Sequence, residues 1–134
     1  MDAAKGETLP LRSAEEVVLV RQATRRRSVD LGFSIIEQTK IVTAASELAR
    51  NTVIHGGGGS VLIEEVTNGI RKGIRLTFED RGPGIPDIGL ALKDGYTTGG
   101  GLGLGLSGSR RLMNEFEIAS QLGVGTRVVV VKWK

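Results

Sequence analysis

Apolar residues recur at helical spacing in the first part of the chain and crowd into short β-branched runs in the second. Ser13-x-x-Glu16 has the capping-box pattern and precedes Val17, Val20 and Ala23 on one face, so it predicts a helix ending near Gly32. Ser34-x-x-Glu37 repeats the pattern. It opens a longer helix with a stripe of Ile41, Ala44 or Ala45, Leu48 and Ala49, which runs to the four glycines after His55. Thr8 to Arg12 reads as a short first strand. Ser60 to Val66 and Gly73 to Glu79, rich in Val, Ile, Leu and Thr, flank a turn containing Asn68-Gly69 and read as a hairpin. After the Asp80-Arg-Gly-Pro-Gly-Ile-Pro loop come a short helical piece around Ile88 to Leu92, a glycine-rich stretch, and a helix from about Leu104 that contains Arg110, Leu112 and Met113. Glu115 to Gln121 and Thr126 to Trp133 form a second strand pair around Gly123-Val-Gly125. This order implies an α+β, two-layer sandwich, a mostly antiparallel sheet with helices on one face, as one domain over residues 1–134.

Composition narrows the chemistry. With no cysteine among 134 residues, disulfides, thiolate metal sites and cysteine nucleophiles are excluded. No apolar run is long enough for a bilayer span and the first residues do not resemble a signal peptide, so a cytoplasmic protein without a membrane partner is expected. The net charge of +3 is dispersed apart from Arg25-Arg26-Arg27, and aromatics make up 4%, so nucleic acid is not an expected partner. The arginine triplet reads more simply as the last turn of a helix. Glycine is the informative excess, with 20 residues clustered at 56–59, 82–84 and 99–108.

Three motifs could carry chemistry. Glu47 and Asn51 stand one turn apart on the long helix, where a carboxylate could accept a hydroxyl proton while a carboxamide oxygen meets Mg²⁺. Taken alone, the pair also reads as a solvated helix face. Asp80 ends a strand before Arg-Gly-Pro-Gly, a plain turn or an acceptor suited to the exocyclic amine of adenine. Gly99 to Gly105 offers side-chain-free amides ahead of a helix, which suits either a phosphate cradle or a linker. The G-x-G-x-x-G at Gly103 to Gly108 lacks a preceding strand, and no P-loop occurs. A single histidine, His55, supports neither a metal cluster nor a Ser-His-Asp triad.

The order of the motifs is more specific than any one of them: Glu47-x-x-x-Asn51, Asp80-x-Gly82-x-Gly84, Gly99 to Gly105, then Gly123-x-Gly125-Thr126 before a final strand. It resembles the GHKL, or Bergerat-fold, ATPase superfamily. The resemblance implies ATP and Mg²⁺ as cofactors. Position by position, it makes Glu47 the general base, Asn51 the Mg²⁺ ligand, and Asp80 the adenine reader beside Gly82, Gly84 and Ile85. Thr126 becomes a second adenine contact. Thr97, Thr98, Gly99, Gly100, Gly101, Leu102, Gly103, Leu104 and Gly105 resemble the ATP lid. Ser46-Glu-Leu-Ala-Arg-Asn51, Glu79 to Asp87, and Gly100 to Leu106 with Arg111-Leu-Met113 are closer to the RsbT branch of anti-sigma-factor serine kinases than to the SpoIIAB and RsbW branch. That implies a kinase acting on Ser or Thr of STAS-domain stressosome proteins, which then activates a PP2C-type phosphatase. The rival readings are an anti-sigma factor that sequesters a sigma factor and a nucleotide-driven conformational switch.

Overall fold

The structure is a computed structural model that describes residues 6–85, 88–92 and 105–134. Strand β1 (Gly6–Leu11) is followed by helices α1 (Ala14–Asp30) and α2 (Ile35–Ile54) and the strands β2 (Gly59–Asn68) and β3 (Arg71–Asp80). The one-turn helix α3 (Ile88–Ala91), helix α4 (Gly105–Leu112) and strands β4 (Glu115–Gln121) and β5 (Gly125–Trp133) complete the order. The five strands form one sheet in the order β1-β2-β3-β5-β4, with every pairing antiparallel. The expected α+β class and two-layer plan are thereby met.

Alternation along the strands explains the layering. Val61 and Ile63 of β2, Leu76 and Phe78 of β3, and Val128 and Val130 of β5 sit opposite one another in register and, with Ile74 of β3, are all buried. They meet the stripe forecast for α2, where Ile41, Ala44, Ala45, Leu48 and Ala49 are 0–2% exposed. Val17, Val20 and Ala23 of α1 close the same core. Burying side chains of this size contributes roughly 1.5–3 kcal/mol for each large one, so the sheet's inner face holds the helices in place.

The two capping boxes part company. Ser34 accepts the Glu37 amide at 3.2 Å, as the pattern requires. The Ser13 side chain makes no cap bond: the Glu16 amide donates instead to the Ser13 carbonyl at 3.1 Å, while the Glu16 carboxylate turns to Arg12, taking its amide at 2.6 Å and its guanidinium Nη2 at 2.7 Å. These hydrogen bonds hold the Glu16 carboxyl below its ordinary pKa. The hairpin turn contains Asn68-Gly69 as expected: Asn68 pairs with Arg71, and Gly69-Ile70 form the tip. Gly69 takes φ 65°, the first central position of a type II′ turn. In the arginine triplet, Arg26 and Arg27 reach Glu7 of β1, and Arg27 also meets Glu65 of β2. The triplet thus fastens α1 to the sheet edge.

Candidate functional site

Asp80 stands at the end of β3, opposite Gly59 on one side and Thr126 on the other. Its half-buried carboxylate is oriented by its own loop: Oδ1 accepts the Gly82 amide at 2.9 Å. The carboxylate rests against Gly56, where an added Cβ would lie 2.5 Å from Oδ2. Gly82 packs on the other side of Gly56, since its own Cβ would lie 2.6 Å from the Gly56 carbonyl oxygen. Two glycines are needed here for backbone to approach backbone and carboxylate.

Gly56 connects this corner to α2. Its amide donates to the Asn51 carbonyl at 3.1 Å, and the His55 amide does the same at 2.9 Å, so the last turn of α2 ends against Asp80. Asn51 sits in that turn and Glu47 one turn earlier, both part-buried. The Glu47 carboxylate lies 3.8 Å from Arg50. The C-terminal end of α2, with Asn51 in its last turn, therefore abuts the Asp80 corner, and Glu47 lies one turn further back along the helix.

A serine that sequence reasoning passed over organises the rest. Ser120 of β4 accepts the Ile85 amide at 2.7 Å, and its hydroxyl lies 2.8 Å from Thr126 Oγ1 and 3.3 Å from the Gly125 carbonyl. It ties the Gly82-Pro-Gly-Ile85 loop to the start of β5. In the sequence, Ser120 occupies an alternating strand with no motif around it, so only the β4–β5 register exposes its role. Gly125 takes φ 147° and passes so close to the Asp80 carbonyl that no side chain fits.

An open cleft of about 650 Å³ occupies this end of the sheet, lined among others by Gly59, Asp80, Ser120, Gly125 and Thr126. Its wall also takes in Ser60, Glu79 and Arg127, whose strand positions alternate with the buried ones and belong to the outer face. Glu47 and Asn51 are not in its lining. The structure thus gathers Asp80, Gly82, Gly84, Ile85 and Thr126 into one corner, against which the last turn of α2 ends. Gly105 is the first residue of α4, which packs against α2. Thr97, Thr98, Gly99, Gly100, Gly101, Leu102, Gly103 and Leu104 lie outside the described residues.

Among the described residues no three His, Cys, Asp or Glu side chains cluster to hold a metal ion. A closed protein cage is absent there, while a lone amide oxygen such as that of Asn51 suits Mg²⁺, which keeps waters and phosphate oxygens in its shell. No helix among the described residues is long and apolar enough to cross a membrane.

This arrangement, a mixed sandwich with a helix-borne Glu/Asn pair beside a strand-end Asp, defines a class. The chain belongs to the family of histidine kinase-, DNA gyrase B- and HSP90-like ATPases, whose family model matches residues 36–134. Within that class it is 46% identical over 118 residues to serine/threonine-protein kinase RsbT of Bacillus subtilis, covering 88% of this chain and 89% of that protein. It is also 31% identical over 126 residues to an anti-sigma F factor of Clostridium beijerinckii, covering 89% and 87% of the two chains. In fold it superposes on the RsbU and RsbW domains of a Mycobacterium tuberculosis protein with a TM-score of 0.67 at 19% identity, covering 98% of this chain and 33% of that one. The mycobacterial sensor histidine kinase MprB gives 0.58 at 18% identity, covering 95% and 96%. The expected superfamily is met, and with it the expected class of enzyme, an ATP-dependent serine/threonine kinase.

Proposed function

We propose that this chain transfers the γ-phosphoryl group of ATP to a Ser or Thr hydroxyl of a STAS-domain protein and, when released from such partners, activates a PP2C-type phosphatase. The observation that supports the reading is the contact of the Asp80 carboxylate with Gly56, whose amide donates to the carbonyl of Asn51, the α2 residue one turn beyond Glu47. Adenine held at Asp80 would send its phosphates along α2 toward that pair. Sequence identity to RsbT across most of both chains supports the kinase branch.

In this mechanism Asp80, oriented by Gly82, accepts a hydrogen bond from the adenine amine. Thr126 and Ile85, linked through Ser120, flank the base. Glu47 takes the proton from the acceptor hydroxyl as it attacks, and the γ-phosphoryl group passes in line from ATP to that oxygen with ADP as the leaving group. Mg²⁺, held on the protein side by the Asn51 oxygen, would neutralise phosphate charge. The glycine run up to Gly105 supplies amides for the transferring group.

Glu47→Ala should bind nucleotide nearly normally and lose roughly 10²–10⁴-fold in rate. Asn51→Ala should weaken Mg-ATP binding as well as turnover. Labelled ATP, Mg²⁺ and candidate STAS domains provide the assay. Full kinase activity in Glu47→Ala together with unchanged Mg-ATP affinity in Asn51→Ala would refute the site. The anti-sigma F factors among the relatives favour a second reading, capture of a sigma factor. Direct binding measurements with a sigma factor and with STAS and phosphatase partners separate the two.

A further inference from the structure

Lys132 stands apart from the other buried residues because it carries a charge while only 7% exposed. Burying an ammonium is costly unless it is paired, and an apolar residue would serve stability as well or better. Its Nζ donates to the Leu112 carbonyl at 2.9 Å and lies 3.3 Å from Glu37 Oε1. Leu112 ends α4, where carbonyls lack helical partners and the helix dipole is negative; Glu37 lies in the first turn of α2, at the positive end. One cation from β5 thus joins the tail of α4 to the head of the helix that bears Glu47 and Asn51.

The same end of α4 is held twice more. The Asn114 amide donates to the Val131 carbonyl at 2.9 Å, and Asn114 Oδ1 accepts the Trp133 amide at 2.6 Å. An α4 of eight residues is about 12 Å long, so a tilt of about 10° at the anchored tail moves its first residue by about 2 Å. Misplacement of about 1 Å can cost two orders of magnitude where groups must meet a transition state.

We infer that Lys132 is a positioning residue for the phosphate end of the nucleotide. By fixing the angle of α4 on α2, it sets where Gly105 and the first turn of α4 meet the γ-phosphate, and so how far the protein prefers ATP over ADP. The inference rests on the proposed function, because it takes α4 to begin where the phosphates lie. Asp80 and its neighbours are on another part of the sheet and should be untouched by the clamp.

The test compares ADP with a non-hydrolysable ATP analogue, both with Mg²⁺, by calorimetry on the full chain. Lys132→Met should leave ADP affinity within about threefold and weaken the ATP analogue by about tenfold or more, the scale of a lost charged hydrogen bond. Glu37→Gln keeps the bond to Leu112 and should shift the same ratio in the same direction, by less. A lowered melting temperature with an unchanged ATP-to-ADP ratio in Lys132→Met overturns the inference and leaves a structural lysine. If Lys132→Met does not fold by circular dichroism, Glu37→Gln decides, and an unchanged ratio overturns it. Failure of the unaltered chain to bind ADP would instead sink the proposed function.

Discussion

Gly56→Ala isolates the contact on which the proposed nucleotide site depends. Gly56 is not among the positive-φ glycines, so alanine brings no backbone strain and acts through its methyl group alone. That methyl would lie 2.5 Å from Asp80 Oδ2 and 2.6 Å from Asp80 Cβ, whereas carbon contacts are comfortable at about 3.5–4.0 Å. About 1 Å must be found. Gly56 cannot easily retreat, because its amide is tied to Asn51 and Gly82 lies against its carbonyl. The Asp80 side chain must therefore turn, which breaks its bond to the Gly82 amide. Overpacking of this kind costs about 1–3 kcal/mol of stability. Displacing the carboxylate removes the adenine acceptor at a further cost of about 1–3 kcal/mol in binding, or roughly 5- to 150-fold in Kd. Calorimetric titration with ADP and a thermal melt read the two effects separately. Gly57→Ala is the control: its methyl meets open space, but φ is 73°, so it should lose about 1–2 kcal/mol of stability and keep ADP affinity. Wild-type ADP affinity in Gly56→Ala, or an equal loss in Gly57→Ala, would refute the reasoning.

Ser120→Ala should weaken ADP binding by roughly fivefold or more through the unpaired Ile85 amide, since each buried donor left unmade costs about 1–3 kcal/mol; equal Kd values would remove Ser120 from the site. Thr24 is fully buried, and its hydroxyl finds no hydrogen-bond partner among the described residues, so Thr24→Val should raise stability to urea by about 1 kcal/mol; a lower midpoint with the same slope would show that the hydroxyl is paired. Glu16 has its pKa lowered in the folded state by Arg12, so its contribution is present above the ordinary value of 4.5 and is lost as pH falls through the folded pKa. Glu16→Gln should flatten that part of the acid limb of a stability-against-pH curve, and superimposable acid limbs would contradict the assignment.

Much of the fold was legible because burial imposes a period on the sequence. The α2 stripe from Ile41 to Ala49 and the strand cores at Val61, Ile63, Leu76 and Phe78 emerge where the pattern places them, since each lies between the same two layers. Local bonding is less determined by pattern. Ser13 carries a capping signature that Arg12 overrides by offering Glu16 both an amide and a guanidinium. Asp80 was legible because its loop spells out its own geometry in glycines. Ser120 and Lys132 were not, because they act through partners 35 and 20 residues away that only the sheet brings near.

The adjacency of β3 and β5 has a consequence for how such a protein can change over time. Asp80 and Thr126 are rungs of one ladder, so the chain between β3 and β4 starts and ends at strands that stay paired through β5. The excursion is a module with fixed terminals. Because closure entropy grows by only about 0.6 kcal/mol for each doubling of loop length, segments of different length and chemistry could be exchanged between those terminals at little cost to the core. The rung proposed to read adenine would stay where it is while the chain between the two strands was rewritten. A family that shares a sandwich and varies its clients needs a seam of this kind, and here the seam runs between two neighbouring strands.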